Sequence, residues 1–223
     1  YTAGGYGSTS AHGQWQVARN SVNMLLDANI PYAVCMGNHD MDLVPDYNIP
    51  QKMDRFVQYF PVADFEGYPY FGGYFRNMSN SYYLFNADGM DFIVLSLQNF
   101  QESLYDPAVA DWANGVLDTY SDHRAIIITH MLNAGNEYMT NIIEQHDNVF
   151  MTNYGHDCAD TGERYWTSST PSGNTIHNIM SDYQCRGDEG GGAVLRWYTF
   201  KTEENRNGFG GNSGSESWYC CSS

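Results

Sequence analysis

Apolar positions first take a helical period at Trp15. Trp15, Ala18, Val22, Leu25 and Leu26 share one face to about Asn29, and Pro31 stands just beyond. The spacing predicts a helix there, after a Gly/Ser/Tyr-rich stretch, 1–13, that reads as an irregular lead-in. Tyr32-Ala33-Val34-Cys35-Met36 is a short apolar run of buried-strand length that stops at Gly37. Gln51 to Phe60 reads as a helix ended by Pro61, and residues 62–80 as an aromatic, Gly-rich loop. Ser81–Phe85 and Asp91–Leu97 alternate as strands around Asn86-Ala87-Asp88-Gly89, a hairpin signal. Pro107 to Tyr120 is a helix with proline in its first turn. Arg124–Thr129 is a buried strand, Glu137–Gln145 a helix and Asn148–Asn153 a strand. Asn174–Met180 and Ala193–Phe200 are later strands, and 207–223 is a flexible Gly/Ser-rich tail. Helices alternating with short apolar strands define an α/β layered fold without internal repeats.

Three of these strands run straight into a polar loop bearing histidine. Met36 leads into Gly37-Asn38-His39-Asp40, Thr129 into His130, and Asn153 into Tyr154-Gly155-His156-Asp157-Cys158. In α/β sheets, ligands sit beyond the carboxyl ends of the strands, so residues about a hundred positions apart can meet at one rim. The converging set is Asn38, His39, Asp40, His130, His156 and Cys158. Imidazole suits zinc, iron and related metals, and an amide oxygen is a harder ligand. A carboxylate beside a histidine fixes its tautomer and keeps it protonated. Such a set either holds a metal site or is a group of hydrogen-bonded strand-end residues.

Charge and composition narrow the partners. Twenty-six acidic residues against ten basic ones give a net charge of −16. That surface repels phosphate backbones and anionic lipid, which excludes nucleic acid as the expected partner. No apolar run reaches the roughly 18 residues a membrane-spanning helix needs. The five cysteines form no Cys-x-x-Cys pair, which removes zinc ribbons and thioredoxin-type redox sites. Lys52 and Lys201 are the only lysines, a surface style that suits a secreted or extracellular protein. Asn77-Met78-Ser79 fits a glycosylation sequon, a pattern that also arises by chance. His12, His123, His146 and His177 have no spacing argument and read as structural or surface residues. The Tyr68–Tyr74 aromatic run is either loop packing or a stacking platform.

Gly37-Asn38-His39-Asp40 resembles the Gly-Asn-His-Asp/Glu signature of calcineurin-like metallophosphoesterases, and His130 and Gly155-His156 follow in that family's order and spacing. Trp15–Asp40, Asn80–Gln98, Trp112–His130 and Gly173–Arg186 are similar to stretches of its secreted bacterial-type members. The resemblance spans about 14–206, the expected domain. It implies a four-layer α/β/β/α sandwich and a two-metal site loaded with Zn, Mn or Fe. It also implies a metal-dependent phosphoric ester hydrolase acting on a small phosphomonoester or diester. Asn38, His130 and His156 would ligate one metal, His39 would be the proton donor or transition-state stabiliser, and Asp40 would orient it. The family's Asp-x-His and Gly-Asp-x-x-Asp motifs do not occur before Trp15. The expectation is therefore an N-terminally truncated domain holding at most one metal. The family's final Gly-His-x-His reads Gly155-His156-Asp157-Cys158. Cys158 is either a thiolate ligand in the imidazole's place or a buried or disulfide-bonded cysteine. The alternative to an enzyme is an exported binding or surface module with the same fold and a degraded site.

Overall fold

The computed structural model describes residues 9–40, 54–98, 105–157, 162–184, 196–198 and 200. Helix α1 runs Thr9–Asp27, so it starts inside the stretch expected to be an irregular lead-in. Its apolar stripe supplies the reason, since Trp15, Ala18 and Val22 pack into an aromatic cluster. The helix ends in a Schellman turn. Asn29 is left-handed at φ 54°, and the Ile30 amide donates to the Leu25 carbonyl at 2.9 Å.

Helix α2 is Asp54–Tyr59, and β1 is Phe71–Phe75. The latter falls in the region expected to be loop. Its Gly72-Gly73 pair hides the strand signal, yet those glycines admit the Tyr82 ring, which a Cβ at Gly72 would overlap. Strands β2, Asn80–Ala87, and β3, Met90–Ser96, form the expected hairpin. Its two-residue loop has Asp88 at φ 52° and Gly89 at φ 75°, the positive angles a type I′ turn requires. Helix α3, Pro107–Thr119, has proline at its first turn, and the Asp106 carboxylate accepts from the Ala108 amide at 3.0 Å. Strand β4 is Arg124–Ile128 and helix α4 is Glu137–Asn141, which gives way to a tighter turn at Ile143–Gln145. Strands β5, Val149–Tyr154, β6, Glu163–Ser169, and β7, Thr175–Ser181, complete the described elements.

These strands form one seven-stranded mixed sheet in the order β1-β2-β3-β4-β5-β7-β6. The outer pairs are antiparallel, while β3, β4, β5 and β7 run parallel. The carboxyl ends of those four strands therefore share one rim. On one face, Ile93, Leu95, Ala125 and Ile127 pack against Val109, Ala113 and Leu117 of α3 and Met139 of α4. The α3 residues recur every four positions, which turns one stripe onto the sheet. Tyr83 and Val94, of opposite parity, face the cluster of Trp15, Phe56, Phe60, Phe65 and Met36. Helices thus stand on both sides of the sheet, an α/β arrangement. No helix among the described residues is long and apolar enough to cross a membrane.

Tyr32–Met36, expected as a buried strand, has no strand assignment. The segment is held beside the end of β3 by side chains rather than a ladder. The Ser96 hydroxyl donates to the Val34 carbonyl at 2.8 Å, and the Cys35 thiol donates to the Leu97 carbonyl at 3.3 Å. Of the strand expected over Ala193–Phe200, Arg196 makes a single bridge and 197–198 have no ladder. The Arg196 guanidinium instead donates to the Met180 carbonyl and the Ser181 hydroxyl and pairs with Glu163. Cys158, Gln51 and the 207–223 tail lie outside the described residues. In the sequon, Asn77 is exposed, while the Ser79 hydroxyl is buried and donates to the Arg76 carbonyl at 2.6 Å.

Candidate metal centre

Gly37 opens a short 3₁₀ turn over Asn38–Asp40. The turn is tied twice: the Gly37 amide donates to Asp40 Oδ2 at 2.9 Å, and the Asp40 amide to the Gly37 carbonyl at 3.1 Å. Glycine fits because a Cβ there would stand 3.1 Å from Cε1 and Nδ1 of His130. The Asn38 side chain is thereby brought to the rim, and His39 is exposed beside it.

His130 follows β4, and the parallel ladder continues past the strand ends. The Thr129 amide donates to the Asn153 carbonyl at 3.1 Å, and the Gly155 amide to the His130 carbonyl at 2.9 Å. His156 then takes φ 71°, and the Asp157 amide closes onto the Gly155 carbonyl at 3.0 Å. A non-glycine residue in the left-handed region at the centre of so tight a turn is strained, and such strain concentrates at functional sites.

The result is a convergence of three side chains. His130 Nε2 lies 2.8 Å from Asn38 Oδ1 and 2.9 Å from His156 Nδ1. The two rings meet edge to face, with centroids 4.8 Å apart and planes at 75°. A ring nitrogen carries at most one proton, so His130 Nε2 cannot donate a full hydrogen bond to both neighbours. Burial first, and then the neighbouring His156, hold the His130 pKa down to about 4. Asp40 and Asp182 pull it upward and His39 pushes it down. His130 is therefore a neutral imidazole at neutral pH, the form that ligates metals.

These donors fit a divalent cation. Two imidazoles and an amide oxygen form a borderline N/O set. Zn–N bonds of about 2.0–2.1 Å put tetrahedral ligands about 3.3 Å apart, so an opening of a few tenths of an ångström would admit an ion. Among the described residues, no three His, Cys, Asp or Glu side chains gather to hold a metal, so the amide of Asn38 is essential to the set.

The other expected residues sit around this point. Asp40 caps its own turn through the Gly37 amide and lies close enough to His130 to act on its charge. Cys158 falls outside the described residues. Of the remaining cysteines, Cys35 is described and unpaired, and burial pushes its thiol up to about 12, with Asp40 adding to the shift. Its thiol is therefore protonated at neutral pH in the metal-free chain. His12, His123, His146 and His177 bond to Tyr59, Asp122, Asn114 and Tyr165, away from the triad.

Beside His156 opens a cleft of about 280 Å³ walled by Met131, Leu132, Tyr154 and Asp157. Asp157 pairs with Arg164 at 2.7 Å. One rim residue escaped the sequence reading. Asp182 follows β7 as His130 follows β4, and the same rule of polar residues at carboxyl strand ends would have found it. No protein-family model, no curated protein and no solved structure matches the chain.

Proposed function

We propose that the chain is a calcineurin-like metallophosphoesterase domain, a metal-dependent phosphoric ester hydrolase or part of one. The observation that carries this reading is the meeting of Asn38 Oδ1, His130 Nε2 and His156 Nδ1 at a sheet rim. The Gly37–Asp40 signature contributes the first of these donors. The seven-stranded sheet is then one sheet of a four-layer sandwich, and the low lysine content fits an exported protein.

Asn38, His130 and His156 would hold one divalent ion, Zn, Mn or Fe, with Cys158 as a candidate donor toward a second. When bound, such an ion polarises a phosphoryl oxygen and lowers the pKa of a water. His39 is exposed at the rim, on the same turn as Asn38. As the water oxygen would bond to phosphorus and lose a proton to solvent, the ester P–O bond would break and His39 would give its proton to the departing oxygen. Asp40 acts by fixing the turn that presents His39. The substrate is a small phosphomonoester or diester.

A second reading has its own observation. The described donors are two histidines and one amide, with no clustered carboxylate ligand. That set also fits an exported binding or surface module whose site has degraded. Elemental analysis and a nitrophenyl phosphate assay with added Mn or Zn separate the two. Metal-dependent release of nitrophenol supports the hydrolase. Bound metal without turnover on mono- and diesters supports the module.

A further inference from the structure

Strand β7 runs parallel to β5 with Met180 opposite Tyr154, so the residue after β7 arrives beside the Gly155-His156 turn. That residue is Asp182. A Cβ at Gly155 would lie 3.6 Å from the Ser181 carbonyl, 3.8 Å from the His130 carbonyl and 3.9 Å from Asp182 Cβ. Gly155 is thus a spacer between the backbone that carries His130 and the side chain of Asp182.

Asp182 is also held firmly. Its amide donates to the Gly162 carbonyl at 2.7 Å, and its Oδ1 accepts from the Gln184 amide at 3.1 Å. Gly162, at φ 71°, lies so close to the Asp182 carbonyl that a Cβ there would overlap it. One backbone hydrogen bond and one side-chain hydrogen bond, beside a glycine with no room for a Cβ, therefore fix a half-buried carboxylate at the rim. Its charge acts on His130 against the effect of burial.

Charge balance gives this placement a purpose. Asn38, His130 and His156 are neutral donors, so a divalent ion among them keeps its full charge. Asp40 supplies one nearby carboxylate from the Gly37 turn. We propose that Asp182 is the second: a positioning carboxylate whose fixed charge at the end of β7 raises the affinity of the Asn38–His130–His156 site for a divalent cation. The proposal rests on the metal-site reading and adds to it a residue outside the signature.

Titration of the 223-residue chain with Mn(II) by calorimetry tests it. Asp182→Asn keeps an oxygen to accept from the Gln184 amide and removes only the charge. It should weaken Mn(II) binding about tenfold or more, as loss of supporting partners does in other metal sites, with the metal-free Tm unchanged. Asp182→Glu restores the charge and should return the affinity to within a few-fold. Asp182→Ala should lose the affinity and also lower the metal-free Tm. Asp182→Asn binding Mn(II) like the wild type overturns the proposal, as does an equal loss in Asp182→Glu. If the wild type takes up no Mn(II) or Zn(II), the metal-site reading itself fails, and that is seen before any variant is compared.

Discussion

His130 Nε2 and His156 Nδ1 stand 2.9 Å apart across 26 residues of chain, and Asn38 Oδ1 lies 2.8 Å from the same nitrogen. Three electron-rich atoms share a corner that one proton cannot satisfy. On the proposed metal-site reading, a cation would stand where that one proton falls short. Alanine at His130 or His156 is expected to weaken Mn(II) or Zn(II) binding on the order of a hundredfold, and alanine at Asn38 at least about tenfold. His123→Ala, which removes a ring bonded to Asp122 on the turn after α3, should leave binding unchanged. Calorimetric titration of the four variants checks this.

Gly37 gives a subtler probe of the same corner. A Cβ at this position would sit 3.1 Å from two atoms of the His130 ring, so the ring must shift by a few tenths of an ångström. Gly37→Ala should therefore cost metal affinity about tenfold, as disturbed ligand orientation does, while thermal unfolding barely moves. A large loss of Tm with intact binding would mean that the ring tolerates the methyl group and the turn does not.

The buried imidazole predicts an acid-sensitive fold. The folded pKa of His130 is about 4, below the unfolded value of about 6.5, because burial disfavours its charged form. In the metal-free protein the unfolded chain therefore takes up this proton first as pH falls. Stability should be full above about pH 6.5 and decline toward about pH 4. Burial lowers the His146 pKa as well, which adds to the same slope. His130→Gln should flatten the slope, measured as the shift in urea midpoint between about pH 7 and about pH 4.5. An unchanged slope would show that His130 is not the group being titrated.

Ile127 links the core to the site. It is fully buried on β4, three residues before His130, and belongs to the cluster under α3. Ile127→Ala should cost about 2–5 kcal/mol of stability by urea unfolding, from lost burial and the cavity left behind. Leu95→Ala, equally buried on the neighbouring strand, should cost a similar amount. A cost below about 1 kcal/mol for both would mean that this face of the sheet repacks freely.

What the sequence reveals of this fold depends on burial. β3 and β4 carry runs of Ile, Val and Leu, and both faces of the sheet are covered there, so continuous apolarity marks them. β6, at the sheet edge, is Glu-Arg-Tyr-Trp-Thr-Ser-Ser with exposed side chains at Arg164, Tyr165, Thr167 and Ser169, and neither period nor apolar run signals it. Tyr32–Met36 misleads for the opposite reason. Its apolar side chains are spent on the aromatic cluster under α1, while the Val34 carbonyl accepts from the Ser96 hydroxyl of β3. The histidines of the site were legible because each ends an apolar run. Asp182, directly after β7, fits the same rule of polar residues at carboxyl strand ends, but it carries neither a histidine nor a signature motif to single it out.

The last prediction is a stoichiometry. The chain as it stands is expected to bind at most one equivalent of divalent metal and to turn over nitrophenyl phosphate poorly. The reasoning is a count of donors. A catalytic zinc centre takes about three protein ligands and leaves one position open. Asn38, His130 and His156 supply three for a single ion. For a second ion the sequence offers Cys158, and one thiolate does not hold an ion alone. Two-metal sites hold their ions about 3.5–4 Å apart and clamp both sides of the displacement. Without the second ion that clamp is lost. On the proposed reading, His39 would still have a leaving oxygen to protonate, but the attacking water would be only weakly activated. A longer chain bearing the Asp-x-His and Gly-Asp-x-x-Asp motifs before Tyr1 should bind two equivalents and hydrolyse the same ester far faster. Elemental analysis of the purified chain, followed by a metal-titrated phosphatase assay, decides the matter. Two tightly held equivalents with brisk turnover in residues 1–223 would show that residues outside the triad complete the site.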